Sequence, residues 1–198
     1  MARTRALDYD DKRNAILQRS TTLFAEKGVD RASMSDIARE CGVSKALLYH
    51  YYDSKDALLF DVIHTHLTYL DDAIAEADEA ARSPEDRLRA LVHQILKVYA
   101  ESDDQHKVQL AGLPVLPPEM AEEIREVERR IVRRFSDVLL QINPNLNDGK
   151  PLLKPVTMSF LGMLNWVYQW FKPNGPISRD EYADLATNLI LEGVKSMR

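Results

Sequence analysis

The chain has a single cysteine in 198 residues, which excludes an internal disulfide framework and a cysteine-rich zinc site. Glycine is scarce too, with seven residues, about half the usual share. That argues against a turn-rich sandwich or barrel and against most phosphate-cradling loops. No stretch approaches the roughly 18 consecutive apolar residues of a membrane span. The opening residues MARTRALDYDD are charged and lack the apolar centre of a secretory signal, so the expectation is a cytoplasmic protein with no membrane partner. Positive charge is in deficit: the net charge is −5, which by itself speaks against a nucleic-acid partner.

What is present changes that picture. Hydrophobic residues make up 45% of the chain and charged residues 29%, enough for a proper core in one large domain or two small ones. The charge is uneven. Residues 1–60 carry ten Lys/Arg and nine Asp/Glu, whereas residues 61–198 carry sixteen against twenty-two. Local distribution matters more for DNA contact than the total.

The hydrophobic periodicity is helical almost everywhere. Ile16, Leu17, Leu23 and Phe24 share one face of a helix over 11–27, and Gly28 follows where a helix end wants a left-handed residue. Ser35 reads as the N-cap of a short helix ended by Gly42, and Ser44 as the cap of another over 45–51. Ser54 caps a long helix to about residue 81. Ser83-Pro84 opens one to about Glu101. Three prolines between Gly112 and Pro118 break any helix, and the pattern resumes over 119–141. Residues 155–171 are apolar on most sides and predict a buried helix; Ser178 caps a last one. With no alternating strand candidate, the fold class is all-α, with about nine helices.

Residues 34–55, MSDIARECGVSKALLYHYYDSK, place two short helices about a tight turn at Gly42, the spacing of a helix-turn-helix. Such a motif lays its second helix in a major groove with the N-terminal half at the base edges. Here that half is Ser44, Lys45, Ala46 and Leu47, with Ser35 on the preceding helix. Tyr49, His50 and Lys55 are placed to reach flanking phosphates. Each has a plainer reading: Ser44 as a cap, Lys45 and Lys55 as solvated lysines, Tyr52 as core. Arg3 and Arg5 read either as an arm into a minor groove or as a loose terminus.

The segments FAEKGVDRASMSDIA and CGVSKALLYHYYDSKDAL, together about 50 residues, resemble the DNA-binding domain of the TetR family of bacterial transcriptional regulators. The apolar, glycine and aromatic positions agree in register. Ala46 departs from a frequent glycine, and Tyr51-Tyr52 from a frequent histidine-phenylalanine. The resemblance implies a dimeric, all-α protein: residues 1–55 bind DNA, and residues 56–198 bind a ligand and the partner copy. The last two long helices would then pair with their copies, and a two-fold dimer matches a pseudo-palindromic operator in double-stranded DNA.

A second, shorter resemblance concerns the effector. LNWVYQWFKPNGPIS, residues 164–178, is similar to a stretch in TetR-family regulators of lipid, steroid and aromatic-acid catabolism that respond to acyl-CoA thioesters. An acyl chain needs apolar walls, for which Val92, Leu96, Tyr99, Val108, Leu110, Leu113, Trp166 and Trp170 are candidates. The CoA phosphates need cations, and Lys107, Arg125, Arg129, Arg130, Arg133 and Arg134 cluster by sequence. Two readings of those arginines stay open, since they also have Glu122, Glu126 and Glu128 at helical pairing distance. Trp166 and Trp170, four apart, read as stacked along one helical face, either in core or interface or as a pocket wall.

No catalytic constellation and no cofactor motif is found. The leading expectation is a ligand-released repressor with a small apolar effector. The competing ones are a ligand-independent architectural DNA-binding protein and, third, a helical-bundle enzyme. The last lacks carboxylates and histidines at metal-ligand spacing.

Overall fold

The computed structural model of the chain describes residues 2–80 and 82–197, with side chains from residue 9 onward. The described residues are helical and contain no strand. In order they form α1 (Ala2–Lys27), α2 (Met34–Cys41), α3 (Lys45–Tyr51), α4 (Lys55–Ala80), α5 (Pro84–Glu101) and α6 (Asp103–Gly112). There follow a 3₁₀ turn (Leu113–Val115), α7 (Pro118–Ile142), a second 3₁₀ turn (Pro144–Asn147), α8 (Leu153–Asn165), α9 (Val167–Trp170) and α10 (Arg179–Ser196). Counting the four-residue α9 as the continuation of α8, the described residues form nine helices, the number expected, although one of them, α6, has no counterpart among the segments the periodicity located.

Three local outcomes differ from that expectation. First, α1 starts at Ala2 rather than near residue 11, so the backbone of Arg3 and Arg5 is helical; their side chains lie outside the described residues. Second, Ser33, not Ser35, caps α2. The Ser33 hydroxyl accepts the Asp36 N–H while the Asp36 carboxylate accepts the Ser33 N–H, a reciprocal cap that places Ser35 one residue inside the helix. Third, the apolar run 155–171 is two helices, not one. Leu164 and Val167, on either side of a tight turn at Trp166, are both fully buried. That turn leaves Trp166 60% exposed on the single chain.

The helices gather into two compact units. The first comprises residues 1–67 with 102–125. Its core joins Ile16, Leu17 and Phe24 of α1 to Ile37, Leu48, Leu58 and Ile63. Here α6, a helix with no counterpart in the sequence reading, packs on α1. Gly112 ends α6 so close to α4 that a Cβ would sit 2.9 Å from Leu59 and 3.0 Å from Ile63, so no larger residue fits without displacement.

The second unit comprises residues 68–101 with 126–198. Phe135 of α7 and Phe160 of α8 meet edge to face at 6.1 Å in its core, and α10 packs along α5. The C-terminal end of α10 is tied down by Asn143, whose buried amide donates to the Val194 carbonyl at 2.7 Å and the Met197 carbonyl at 2.9 Å.

Candidate nucleic-acid interface

The turn between α2 and α3 follows from two residues. Gly42 takes a left-handed backbone (φ 66°), which ends α2 at low cost, and the Val43 N–H reaches back to the Ala38 carbonyl at 3.0 Å. The Ser44 hydroxyl then accepts the Leu47 N–H at 3.1 Å and opens α3. Only Leu48 of α3 is fully buried. Ser44, Lys45, Ala46, Leu47, Tyr49 and His50 all face solvent, Tyr49 with 46% of its surface exposed. This is a short helix held by one apolar side chain with its polar and aromatic groups turned outward.

The scaffold beneath it is ionic. Asp36 also accepts from Lys27, and that bond, with the Ser33 contacts, holds its carboxyl well below the usual carboxylate range. Arg13 of α1 donates to both Asp61 oxygens of α4 at 2.6 Å each. The same carboxylate accepts the hydroxyl of Tyr52, the residue that ends α3. Burial first, and then Asp61, push the Tyr52 phenol far up. Tyr52 is therefore core, as the sequence implies, yet it is also part of a three-way joint. Sequence reading missed Tyr9, Arg13 and Asp61; the signal present was Tyr9 and Arg13 four apart on one helix face.

Lys55 is a correction. Its ammonium donates to the Val29 carbonyl at 3.0 Å, so it fastens the start of α4 to the loop after α1 instead of lying free for a phosphate. Ser35 is exposed on α2 but has no capping role. Beside α3 a groove of about 200 Å³ is lined by Lys12, Ala15, Ile16, Arg19, Cys41, Val43, Leu47 and Tyr51. Burial pushes the Cys41 thiol there up.

The residues expected to contact an effector are divided. Val92, Leu96 and Tyr99 lie on one face of α5, all buried, and the Tyr99 hydroxyl donates to Asn165 at the end of α8 at 2.8 Å. Burial pushes the Tyr99 phenol up. Trp166 and Trp170 do not stack on each other. The Trp166 ring meets Tyr168 at 6.3 Å, while Trp170 meets Tyr182 edge-on at 5.0 Å and faces a pocket of about 310 Å³ with Phe171, Lys172 and Pro176. Of the cations, Lys107 pairs with Asp104 at 3.2 Å, Arg125 with Glu122, and Arg129 with Glu126, all three apart on their own helices. Arg130 and Arg134 both reach the buried Asp71, whereas Arg133 is exposed and forms no ion pair among the described residues. Val108 is buried, Leu110 exposed and Leu113 half-buried in the first unit.

Residues 16–62 match the profile of the bacterial regulatory proteins of the tetR family, and residues 81–194 match the tetracyclin repressor-like C-terminal domain. The chain belongs to the TetR family. A TetR-family transcriptional regulator from Bordetella parapertussis 12822 is 35% identical, with a TM-score of 0.86 over 94% of this chain and 97% of that one. The HTH-type transcriptional repressor KstR2 of Mycolicibacterium smegmatis is 25% identical over 92% of this chain and 90% of its own length. The regulator AibR, solved in complex with isovaleryl coenzyme A and operator DNA, shares the fold at 24% identity and a TM-score of 0.80, over 90% of this chain and 97% of that one. The TetR profile over 16–62 spans α2, α3 and the start of α4, so the exposed helix α3 is the second helix of a helix-turn-helix in a DNA-binding transcriptional regulator. Among the described residues no helix is long and apolar enough to cross a membrane, and no group of three or more His, Cys, Asp or Glu is placed to hold a metal.

Proposed function

We propose that this TetR-family protein is a homodimeric repressor that reads a pseudo-palindromic operator through α3 and releases it when an acyl-CoA thioester binds. The observation that carries the DNA half is the outward display of Ser44, Lys45, Ala46 and Leu47 at the start of a helix anchored by one buried leucine. In this reading those four residues face base edges, and Ser35, Tyr49 and His50 bond phosphates. Residues 1–55 bind DNA and residues 56–198 bind the effector and the second copy. Dimerisation buries the apolar side chains Met158, Trp166, Leu185 and Leu189, which stand exposed on α8, the turn after it and α10.

Support for a CoA ester comes from the likeness to AibR, which was solved with isovaleryl coenzyme A, and from the chemistry at hand. Val92, Leu96 and Tyr99 form a buried apolar face on α5, Trp170 is an exposed indole beside a pocket, and Arg133 is an exposed cation with no ion pair among the described residues. Lys107 and Arg129 would have to leave their helical partners to hold a phosphate, a small cost for exposed pairs. The effector acts by preferring a dimer whose two reading helices are wrongly spaced for successive major grooves. No catalytic role belongs to this reading.

A thermal-shift series with isovaleryl-CoA, longer acyl-CoAs and the matching free acids tests it, read beside tryptophan fluorescence and DNA release. A ligand at 100 times its dissociation constant stabilises by about 2.7 kcal/mol, a shift easily read. A CoA ester that raises Tm, alters indole emission and frees the DNA supports the proposal. A free acid equal to its CoA ester removes the cationic half of the site. Indifference to every compound, with binding that ignores DNA sequence, points instead to an architectural protein.

A further inference from the structure

Helix α3 is two turns long, and a helix of that length keeps neither its structure nor its direction by itself. Its N-terminal end is organised locally by Ser44, and its middle by the buried Leu48. The C-terminal end is held from outside. The Tyr9 ring of α1 lies stacked on Tyr51 at 4.6 Å with the planes 27° apart. It meets His50 edge-on at 6.4 Å, and His50 in turn meets Tyr51 edge-on at 5.6 Å. Three rings thus close on each other around the last two residues of the helix.

Tyr9 is 41% exposed, so its ring adds little to the core, and its geometry is that of a specific aromatic pair. One helical turn later on α1, Arg13 grips Asp61, which accepts the Tyr52 hydroxyl. The same face of α1 therefore holds two successive residues, Tyr51 by stacking and Tyr52 through a shared carboxylate. The His50 imidazole at the end of α3 needs a fixed direction to meet a phosphate, because a bond to DNA backbone sets register as well as affinity.

We infer that Tyr9 is a positioning residue for DNA reading: its stack on Tyr51 and His50 fixes the direction in which α3 presents its side chains to the duplex. This rests on the reading of α3 as the helix that enters the groove.

The probe is a duplex of about 30 base pairs, long enough for two half-sites, captured from a randomised pool by the full-length wild-type protein. A scrambled duplex of equal length and composition is the control. Tyr9→Ala is expected to weaken binding to the selected duplex about five- to tenfold, the scale of one aromatic pair, and to leave the scrambled duplex within about twofold. Tyr9→Phe, which keeps the ring and loses the hydroxyl, is expected to bind like wild type. Adding Tyr9→Ala to Tyr51→Ala should cost nothing more than Tyr51→Ala alone. If Tyr9→Ala fails to fold by circular dichroism, Tyr9→Leu keeps bulk without a ring and takes its place, with the same losses expected. The inference is overturned if Tyr9→Phe is as weak as Tyr9→Ala, since the hydroxyl then touches DNA itself. Equal losses on both duplexes, unchanged binding by Tyr9→Ala, or additive losses with Tyr51→Ala overturn it as well. A Lys45→Ala variant that binds the selected duplex normally defeats the assignment of α3 instead, whatever Tyr9 does.

Discussion

The outer face of α3 and the outer faces of α8 and α10 are both open to solvent, and their chemistry is opposite. On α3 and its cap the exposed groups are mostly polar, a hydroxyl, an ammonium, an imidazole and a phenol beside the smaller apolar surface of Ala46 and Leu47, and the polar ones bond to a charged surface. Around α8 and α10 they are Met158, Trp166, Leu185 and Leu189, of which Leu189 is 59% exposed. Leucines four apart on an open helix face lose their hydration cost only against another apolar face. Exposure alone thus says little about function, and the side chain's own solvation decides which partner it needs.

The hardest blow to that contrast falls on the apolar side. Leu185→Asp with Leu189→Asp should convert the dimer to monomer, costing about 3–5 kcal/mol of association through unpaired buried charge. Sedimentation at micromolar concentration reads it, and a variant that stays dimeric would show that α10 lies outside the interface. Selected-duplex binding should fall with it, because one half-site is then held at a time.

Acid offers a second, smaller separation, since the first unit holds a buried neutral histidine. His66 is pressed down to about 4 by burial and then by the charge of His106. The unfolded chain, with a value of about 6.5, takes up that proton first, so stability falls as pH drops from about 6.5 towards 4. Between pH 7 and 5 the loss from this group is about 2 kcal/mol. Hydrogen exchange should show amides of α4 and α6 around His66 and His106 opening before those of α8 and α10. His66→Leu should flatten the dependence. A slope unchanged by His66→Leu would assign it elsewhere.

On the polar side, Lys45→Ala and Tyr49→Phe should each weaken selected-duplex binding by about 1–2 kcal/mol with thermal stability unchanged. If both bind normally, these side chains are not at the DNA. The smallest effect is expected of Lys55→Ala. Because its ammonium bonds the Val29 carbonyl, the loss should appear as about 1 kcal/mol of stability, with the salt dependence of DNA binding unaltered. A salt slope lower by about one would return Lys55 to the phosphates.

Much of this was legible in the chain itself. Apolar spacing near 3.6 residues announces helices, and Gly42 between two short amphipathic runs announces the turn. Both are local facts, fixed by backbone sterics and by which side chains avoid water. The apolar excess of residues 155–171 also told that two faces of one segment must be covered. It did not tell that the helix is interrupted at Trp166, because no proline or glycine marks that position.

The tertiary structure alone decided which polar groups are committed and which are free. Lys45 and Lys55 are the same residue ten positions apart in one motif, yet one faces solvent and the other is bound to a carbonyl 26 residues away. Arg13 finds Asp61 across 48 residues, and Tyr9 finds the end of α3. A cation's partner is whichever acceptor the packed helices bring within about 3 Å, and a sequence pattern fixes the face of a helix without fixing what lies opposite it.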